Sequence, residues 1–114
     1  MQFAIMLSGR AEHPYHDVAL RICRQALSDG HSFALLFFTG DAVITGSQER
    51  PTAAQRAWQQ LARDAGVELI VCSRSADELG LGHEQLAAHY ALGGLALWVD
   101  ASLNADRSLR FGGA

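Results

Sequence analysis

The sequence has 114 residues, of which 49% are hydrophobic and 18% are charged, and its formal net charge is −3. This length predicts one domain, residues 1–114, with a core that requires neither disulfides nor metal ions. The slightly negative charge gives no reason to expect direct binding to nucleic acid or to an anionic membrane. All nine basic residues are arginine, which excludes a P-loop, a Schiff base and a receiver-type phosphorylation site, because each requires a lysine.

The first half of the chain alternates apolar runs with amphipathic segments. Gln2 to Leu7 is apolar and predicts a buried strand. Pro14 is well placed to begin a helix that ends before Gly30. Ser32 to Phe38 predicts a second buried strand. The first helix has one apolar stripe, formed by Tyr15, Val18, Ala19, Ile22, Cys23 and Ala26.

The segment 39–50 has no clear periodicity and predicts a surface loop with an exposed apolar patch at 42–44. Thr52 and Gln55 then form a capping-box pattern for a second helix, which ends at Gly66. Its stripe consists of Ala54, Ala57, Trp58, Leu61, Ala62 and Ala65. Both helices and both strands therefore have the patterns of buried elements.

The second half of the chain begins with a short buried strand, 67–71, followed directly by Cys72. Ser75 and Glu78 form a further capping-box pattern, which predicts a helix start at Ser75. A fourth strand is expected around 88–92, and a helix over 94–103 with Asn104 as a left-handed cap. The apolar face of that helix consists of Leu95, Trp98, Val99 and Leu103.

Residues 107–111 alternate between polar and apolar side chains, as expected of a half-exposed edge strand. The alternation of strands and helices along the chain predicts an α/β fold with a mostly parallel five-stranded sheet and helices on both faces. No helix-length apolar run is present, and the run 3–7 is too short for a signal peptide or a membrane span. We therefore expect a cytoplasmic protein with reduced thiols.

Cys72 is the strongest candidate for a chemically reactive residue. Ligands and chemistry gather beyond the carboxyl ends of strands in open α/β sheets, and Cys72 follows such a strand. A helix start nearby would favour the thiolate over the thiol. The alternative is that Cys72 is a small buried apolar residue, as many free cysteines are. Cys23 lies in a helical stripe and is interpreted as core.

Other chemistries of this fold class fit the sequence poorly. The loop after the first strand, residues 8–13, lacks the GxGxxG pattern of dinucleotide binding. A cysteine hydrolase would need a partner for the thiol, for which His13 is the best placed of the five histidines. With no second thiol nearby, a cysteine that carries a group suits the pattern better than a dithiol redox centre.

The chain resembles the DsrE/TusD family of sulfur-relay proteins over nearly its whole length. The resemblance rests on four segments: QFAIMLSG (2–9), QALSDGHSFALLFF (25–38), RAWQQLARDAGVELIVCSRSA (56–76) and LGGLALWVDASLNADRSLRF (92–111). It implies a five-stranded parallel α/β fold and assembly into homo- or hetero-oligomers. It also implies that Cys72 carries a persulfide, as the cysteine after the third strand does in catalytic members.

The resemblance implies a sulfurtransferase that acts in tRNA thiolation or in dissimilatory sulfur oxidation. Its expected partners are related small subunits, a TusA-like sulfur donor and a TusE/DsrC-like acceptor, and no metal or organic cofactor is needed. The amides of Ser73, Arg74 and Ser75 are expected to stabilise the anionic sulfur, and Arg74 to add its charge.

Two alternatives remain open at this point. The first is a non-catalytic scaffold subunit in which Cys72 has no chemical role. The second is a small-ligand-binding module, which no phosphate or nucleotide motif supports. Subunit contacts are expected at the patch 42–44, Tyr90 and Trp98, although Tyr90 and Trp98 fit the core of a monomer equally well.

Overall fold

The structure is a computed structural model that describes residues 1–112. The last two residues of the predicted domain, 113 and 114, lie outside this range. Five strands, four α-helices and two 3-10 helices follow one another along the described chain. Their bounds are β1 Gln2–Leu7, α1 Pro14–Ser28, β2 Ser32–Phe38, a 3-10 helix Gly40–Gly46, α2 Ala53–Ala65, β3 Leu69–Cys72, α3 Ser73–Glu78, a 3-10 helix His83–Gln85, β4 Tyr90–Gly93, α4 Leu95–Asn104 and β5 Arg107–Phe111.

The five strands form one sheet in the order β4-β3-β2-β1-β5, and every neighbouring pair is parallel. The chain first moves across the sheet from β1 to β4 and then returns to the opposite edge for β5. Because parallel crossovers are right-handed, this reversal places α4 on the face opposite to α1 and α2. The predicted fold class is therefore confirmed. The half-exposed β5 is an edge strand, as predicted.

The core consists of two layers of side chains, one on each face of the sheet. Neighbouring residues of β2 show this directly, since Phe38 packs edge-on against Trp58 of α2 and Phe37 stacks on Trp98 of α4. Phe37, Phe38 and Trp58 are essentially inaccessible to solvent. Most residues of β1 and β2 and all of β3 are buried, which explains why their sequences are apolar without alternation.

Both predicted helix starts in the first half of the chain are confirmed. Pro14 is the first residue of α1, and the Thr52 hydroxyl accepts a hydrogen bond from the Gln55 N–H at 3.0 Å. The Gln55 side chain does not complete a capping box. It is buried, and its amide donates instead to the carbonyl oxygens of Thr45 and Ser47, each at 2.8 Å. Gln55 thereby fixes the segment before α2 to the body of the protein.

The segment 39–50 corrects one prediction. It contains the 3-10 helix Gly40–Gly46 instead of an irregular loop, and Ala42 and Val43 are fully buried. Tyr90 and Trp98 are buried as well, so that the core alternative holds for both aromatic residues. Of the residues expected to form subunit contacts, Ile44 alone is partly exposed, and the other four offer no apolar surface. The 3-10 helix turns Ala42 and Val43 inward, which a pattern without periodicity does not reveal.

The apolar stripes of α1 and α4 are only partly buried, contrary to prediction. In α1, Ala19 and Cys23 face the core while Tyr15, Val18 and Ile22 are exposed. In α4, only Trp98 of the predicted face is buried. The exposed apolar residues of α4 are Leu95, Leu97, Val99 and Leu103.

Two boundaries near the end of the chain also differ from prediction. The fourth strand exists but covers Tyr90–Gly93. Helix α4 ends at Asn104, but Asn104 does not adopt a left-handed conformation, since His89 is the one non-glycine residue with positive φ in residues 1–112.

Candidate active site

Cys72 joins β3 to α3 and lies at the carboxyl edge of the parallel sheet. It is the last residue of β3 and also the N-cap of α3, which begins at Ser73. The predicted helix start at Ser75 is therefore wrong. Ser75 lies inside the first turn of α3, where its hydroxyl is used for a contact with the neighbouring strand instead of a cap.

The carboxyl end of β2 lies next to Cys72 because β2 and β3 are adjacent in the sheet. Thr39 and Gly40 follow β2 directly. The Ser75 hydroxyl accepts a hydrogen bond from the Gly40 N–H at 2.9 Å, and its oxygen lies 3.4 Å from the Thr39 hydroxyl oxygen. These contacts bring the loop after β2 and the first turn of α3 together around the thiol.

The Cys72 thiol has a lowered pKa, although its side chain is only 7% exposed. Burial is the largest single influence and acts to raise the pKa. The amide and hydroxyl of Ser75, the Thr39 hydroxyl and the Arg74 amide donate hydrogen bonds that together outweigh burial and lower the pKa. Hydrogen bonds to the charged form favour that form. Cys72 therefore carries an acidic thiol although the residue is largely shielded from solvent.

The structure separates the three residues expected to stabilise the sulfur. Ser75 contacts the thiol through both its amide and its hydroxyl, and Arg74 contacts it through its amide. The Arg74 side chain is 90% exposed and forms an ion pair with Glu78, with Nε 3.4 Å from Oε1. Ser73 is exposed at the start of α3. The predicted charge contribution of Arg74 thus has no direct contact to support it in the described structure.

Thr39 is a residue of this site that the sequence analysis did not single out. Its hydroxyl donates to Cys72 although 33 positions of chain separate them in the printed sequence. A signal was present, because Thr39 directly follows a buried strand as Cys72 does. Using that signal requires knowing that β2 and β3 are neighbours.

The second cysteine and His13 are not among the groups that contact the Cys72 thiol. Cys23 is fully buried in α1, and burial raises the pKa of its thiol to about 12, which confirms its assignment to the core. His13 stacks on Tyr15, and its Nδ1 accepts a hydrogen bond from the Tyr15 N–H at 3.2 Å. Of the donors that lower the pKa of Cys72, none is a histidine. In residues 1–112 the Cys72 thiol therefore has no hydrogen-bonded histidine of the kind that serves as the base in a cysteine hydrolase.

The described residues contain neither a membrane-spanning helix nor a cluster of metal ligands. Residues 1–112 contain no helix with the length and apolar character needed to span a bilayer. Over the same range, no three His, Cys, Asp or Glu side chains cluster in a way that would hold a metal ion.

Comparison with known proteins identifies the family. The sequence model described as the DsrE/DsrF-like family matches residues 1–111. The chain belongs to the DsrE/DsrF-like family. This agrees with the resemblance found in the four sequence segments.

Relatives of this DsrE/DsrF-like chain include three proteins named Sulfurtransferase TusD. Those of Erwinia tasmaniensis and Enterobacter sp. are 32% and 31% identical to it, and that of Klebsiella pneumoniae is 29% identical. Each alignment covers 97% of this chain and 100% of the relative.

Two solved structures share the fold of this DsrE/DsrF-like chain. The YchN protein from E. coli has a TM-score of 0.80 at 20% identity, with 97% of this chain and 100% of that chain covered. Protein MTH1491 of Methanobacterium thermoautotrophicum has a TM-score of 0.81 at 12% identity, with 96% and 97% covered. At these identities the likeness concerns the fold.

Proposed function

We propose that this protein is a sulfurtransferase of a sulfur relay, in which Cys72 accepts sulfane sulfur as a persulfide and passes it to a downstream carrier. The observation that carries the proposal is the acidic thiol of Cys72, surrounded by hydrogen-bond donors at the carboxyl edge of the sheet. A thiolate is the nucleophile in sulfur exchange, so lowering its pKa increases the reactive fraction. The TusD relatives, matched over their full length, support the same class of function.

The first step loads the protein. The Cys72 thiolate attacks the outer sulfur of a donor persulfide, R–S–SH, and a new S–S bond forms as the donor S–S bond breaks. The donor leaves as a thiolate, R–S⁻, and Cys72 becomes Cys72–S–SH. No external oxidant or reductant is required, because the sulfane sulfur keeps its oxidation state as it moves.

The second step unloads the protein by the same chemistry in reverse sense. A thiolate of the acceptor attacks the outer sulfur of Cys72–S–SH, and Cys72 leaves as a thiolate. The donors around Cys72 favour this step too, because a low leaving-group pKa speeds departure. The hydroxyls of Thr39 and Ser75 and the amides of Ser75 and Arg74 would stabilise the sulfur anion in both steps.

The partners are part of the proposal. A TusA-like protein would supply sulfur and a TusE/DsrC-like protein would accept it, in tRNA thiolation or dissimilatory sulfur oxidation in the cytoplasm. Assembly with related small subunits or with further copies is expected to use the exposed apolar residues of α4, since Leu103 is 78% exposed and Leu95 57% exposed. Light scattering of the pure protein would show a monomer if assembly requires other subunits.

Intact-mass spectrometry after incubation with inorganic polysulfide tests the central claim. Wild type and Cys23→Ala are expected to gain one sulfur, about 32 Da, and Cys72→Ser to gain none. The circular dichroism spectrum and melting temperature of each variant serve as folding controls. If folded wild type gains no sulfur on Cys72 while a TusA-like carrier is loaded under the same conditions, the protein is a non-catalytic scaffold subunit.

A further inference from the structure

A cleft lies beside the candidate active site, between the loop after β1 and the 3-10 helix Gly40–Gly46. Its volume is about 680 Å³, which is within the range of about 300–1,000 Å³ usual for small-molecule sites. No residue of the Cys72 hydrogen-bond arrangement lines it. The lining residues that matter chemically are Arg10, Glu12, His13, Asp41, Ile44 and Arg50.

The charges of the cleft are balanced and unpaired. Two guanidinium groups, of Arg10 and Arg50, face the same cleft as two carboxylates, of Glu12 and Asp41. The ion pairs in the described chain are formed by other residues, and none includes any of these four side chains. The cleft therefore presents both signs of charge to a ligand, with each charged group available for a new contact.

The cleft and the sulfur site are connected through two consecutive residues at the start of the 3-10 helix Gly40–Gly46. Asp41 lines the cleft, and the preceding residue, Gly40, donates its N–H to the Ser75 hydroxyl that contacts Cys72. Gly40 and Asp41 are consecutive residues, so their Cα atoms lie about 3.8 Å apart. A tripeptide spans about 10 Å when extended, so a ligand held at Asp41 is long enough to extend beyond the cleft toward the contacts of Cys72.

We propose that this cleft binds a small zwitterionic thiol, a cysteine-containing peptide with carboxylates and an ammonium group, whose persulfide donates sulfur to Cys72. Guanidinium forks bind carboxylates through paired hydrogen bonds, so Arg10 and Arg50 would hold the carboxylates. Asp41 and Glu12 would hold the ammonium group. The inference rests on the proposed function of Cys72 and adds a small-molecule donor that could load Cys72 in place of the TusA-like protein.

The transfer is a single exchange. The Cys72 thiolate attacks the outer sulfur of the bound persulfide R–S–SH, giving Cys72–S–SH and the thiolate R–S⁻. The peptide thiolate takes up a proton from solvent and leaves the cleft. Binding contributes by holding the outer sulfur in line with the Cys72 thiol, which converts a bimolecular collision into a step within one complex.

Binding is tested with glutathione as the probe and with Cys72→Ser, so that no covalent chemistry intervenes. Saturable NMR shift changes are expected at Arg10, Asp41 and Arg50. Arg10→Ala combined with Arg50→Ala should weaken binding by about tenfold or more, since each lost charge-assisted contact costs on that order. The control pair Arg56→Ala with Arg110→Ala changes the net charge equally, away from the cleft, and should bind as before.

Transfer is tested by comparing the rates at which glutathione persulfide and inorganic polysulfide load Cys72. The variant that combines Arg10→Ala with Arg50→Ala, called the cleft variant, should load about tenfold more slowly from glutathione persulfide. From polysulfide, which has no carboxylate or ammonium group, it should load at the wild-type rate. Equal loss or no loss with both donors would overturn the cleft proposal. The proposal would also be overturned if the cleft variant still bound glutathione. The same holds if the cleft bound the cysteine-bearing arm of a carrier protein but not glutathione.

Failure of the proposed function is distinguishable from failure of this inference. If polysulfide loads wild type but glutathione binds nowhere near Arg10 and Arg50, Cys72 remains a sulfur carrier and the small-thiol donor is excluded. If neither donor loads Cys72 in wild type, the sulfurtransferase proposal falls, and the donor inference falls with it whatever the NMR titration shows.

Discussion

Cys23 and Cys72 lie in the same hydrophobic core, with exposed fractions of 0% and 7%. The pKa values of their thiols are nevertheless shifted in opposite directions. Burial raises the pKa of both. For Cys23 no opposing contribution is present, and its pKa reaches about 12. For Cys72 four hydrogen-bond donors reverse the effect of burial, and the pKa falls below its ordinary value. Burial of a cysteine therefore does not decide whether it is reactive.

The difference arises from where each residue lies in its element. Cys23 is inside α1, where backbone N–H groups are already bonded within the helix. Cys72 lies at the junction of β3 and α3, where the first N–H groups of a helix have no partner within it. The hydroxyl of Thr39 approaches from the next strand and adds a donor from a distant part of the chain.

Alkylation of the native protein with iodoacetamide should show the largest difference between the two cysteines. At about pH 8, a thiol with a pKa of about 12 is ionised in about one molecule in 10⁴, and one with the ordinary pKa of 9.0 in about one in ten. Cys72 should therefore react at least about 10³-fold faster than Cys23, as measured by mass spectrometry of tryptic peptides. Similar rates in urea, where both are exposed, provide the control, and similar rates in the native state would contradict the comparison.

The pH dependence of stability should have opposite signs for the two thiols. Between the ordinary pKa of 9.0 and about 12, unfolded Cys23 is ionised and folded Cys23 is not. The folded state then binds more protons, so its stability falls as pH rises, by at most about 1.4 kcal/mol per pH unit. Cys72 has a lowered pKa, so its contribution to stability grows as pH rises from the folded pKa to 9.0.

Urea unfolding of Cys23→Ala and Cys72→Ala, compared with wild type across this pH range, measures each contribution. Cys23→Ala should lose stability less steeply than wild type above pH 9.0, the ordinary value. Below that pH, the stability of Cys72→Ala should increase less with rising pH than that of wild type. Tyr90 also has a raised pKa through burial and adds an alkaline slope common to all three proteins. Parallel curves for Cys23→Ala and wild type would contradict the prediction.

The parts of this structure that could be predicted from the sequence are those that local pattern determines. The bounds of β1 and β2 agree with prediction residue for residue, because strands buried on both faces are continuously apolar and end at polar residues. Pro14, Thr52 and Gly66 mark helix ends for reasons of backbone geometry that do not depend on the rest of the fold. The position of Cys72 at a strand end follows from the same local pattern.

The parts that could not be predicted depend on which elements become neighbours. Helical periodicity cannot say how much of an apolar stripe finds a partner, and Val18 and Ile22 remain exposed although Ala19 and Cys23 are buried. Ser75 matches a capping pattern, but its hydroxyl instead accepts a hydrogen bond from the Gly40 N–H. Tertiary contacts determine both the burial of the α1 stripe and the partner of the Ser75 hydroxyl, and such contacts leave no pattern in the local sequence.

Removing the hydroxyl donors should move Cys72 toward the behaviour of Cys23. Ser75→Ala and Thr39→Val each delete one hydrogen bond to the sulfur, and each should raise the pKa of Cys72 by about one unit, because a hydrogen bond to a charged group contributes about 1.5 kcal/mol. Ser73→Ala, in the same turn of α3, is the matched control. The pH dependence of alkylation gives each pKa, and values equal to wild type for both variants would remove the hydroxyls from the explanation.

The smallest effect is expected for the Arg74 side chain. Arg74 contributes to the site through its amide, which every substitution except proline retains, while its guanidinium is 90% exposed and paired with Glu78. Charges this exposed are screened by water and salt, so Arg74→Ala should raise the pKa of Cys72 by less than about 0.3 units. Glu78→Gln tests the same point from the other side, because it frees the guanidinium. If Glu78→Gln lowered the pKa of Cys72 and Arg74→Ala raised it by a full unit, the charge of Arg74 would act on the sulfur after all, and the difference between the two cysteines would rest on a side-chain charge as well as on the hydrogen bonds.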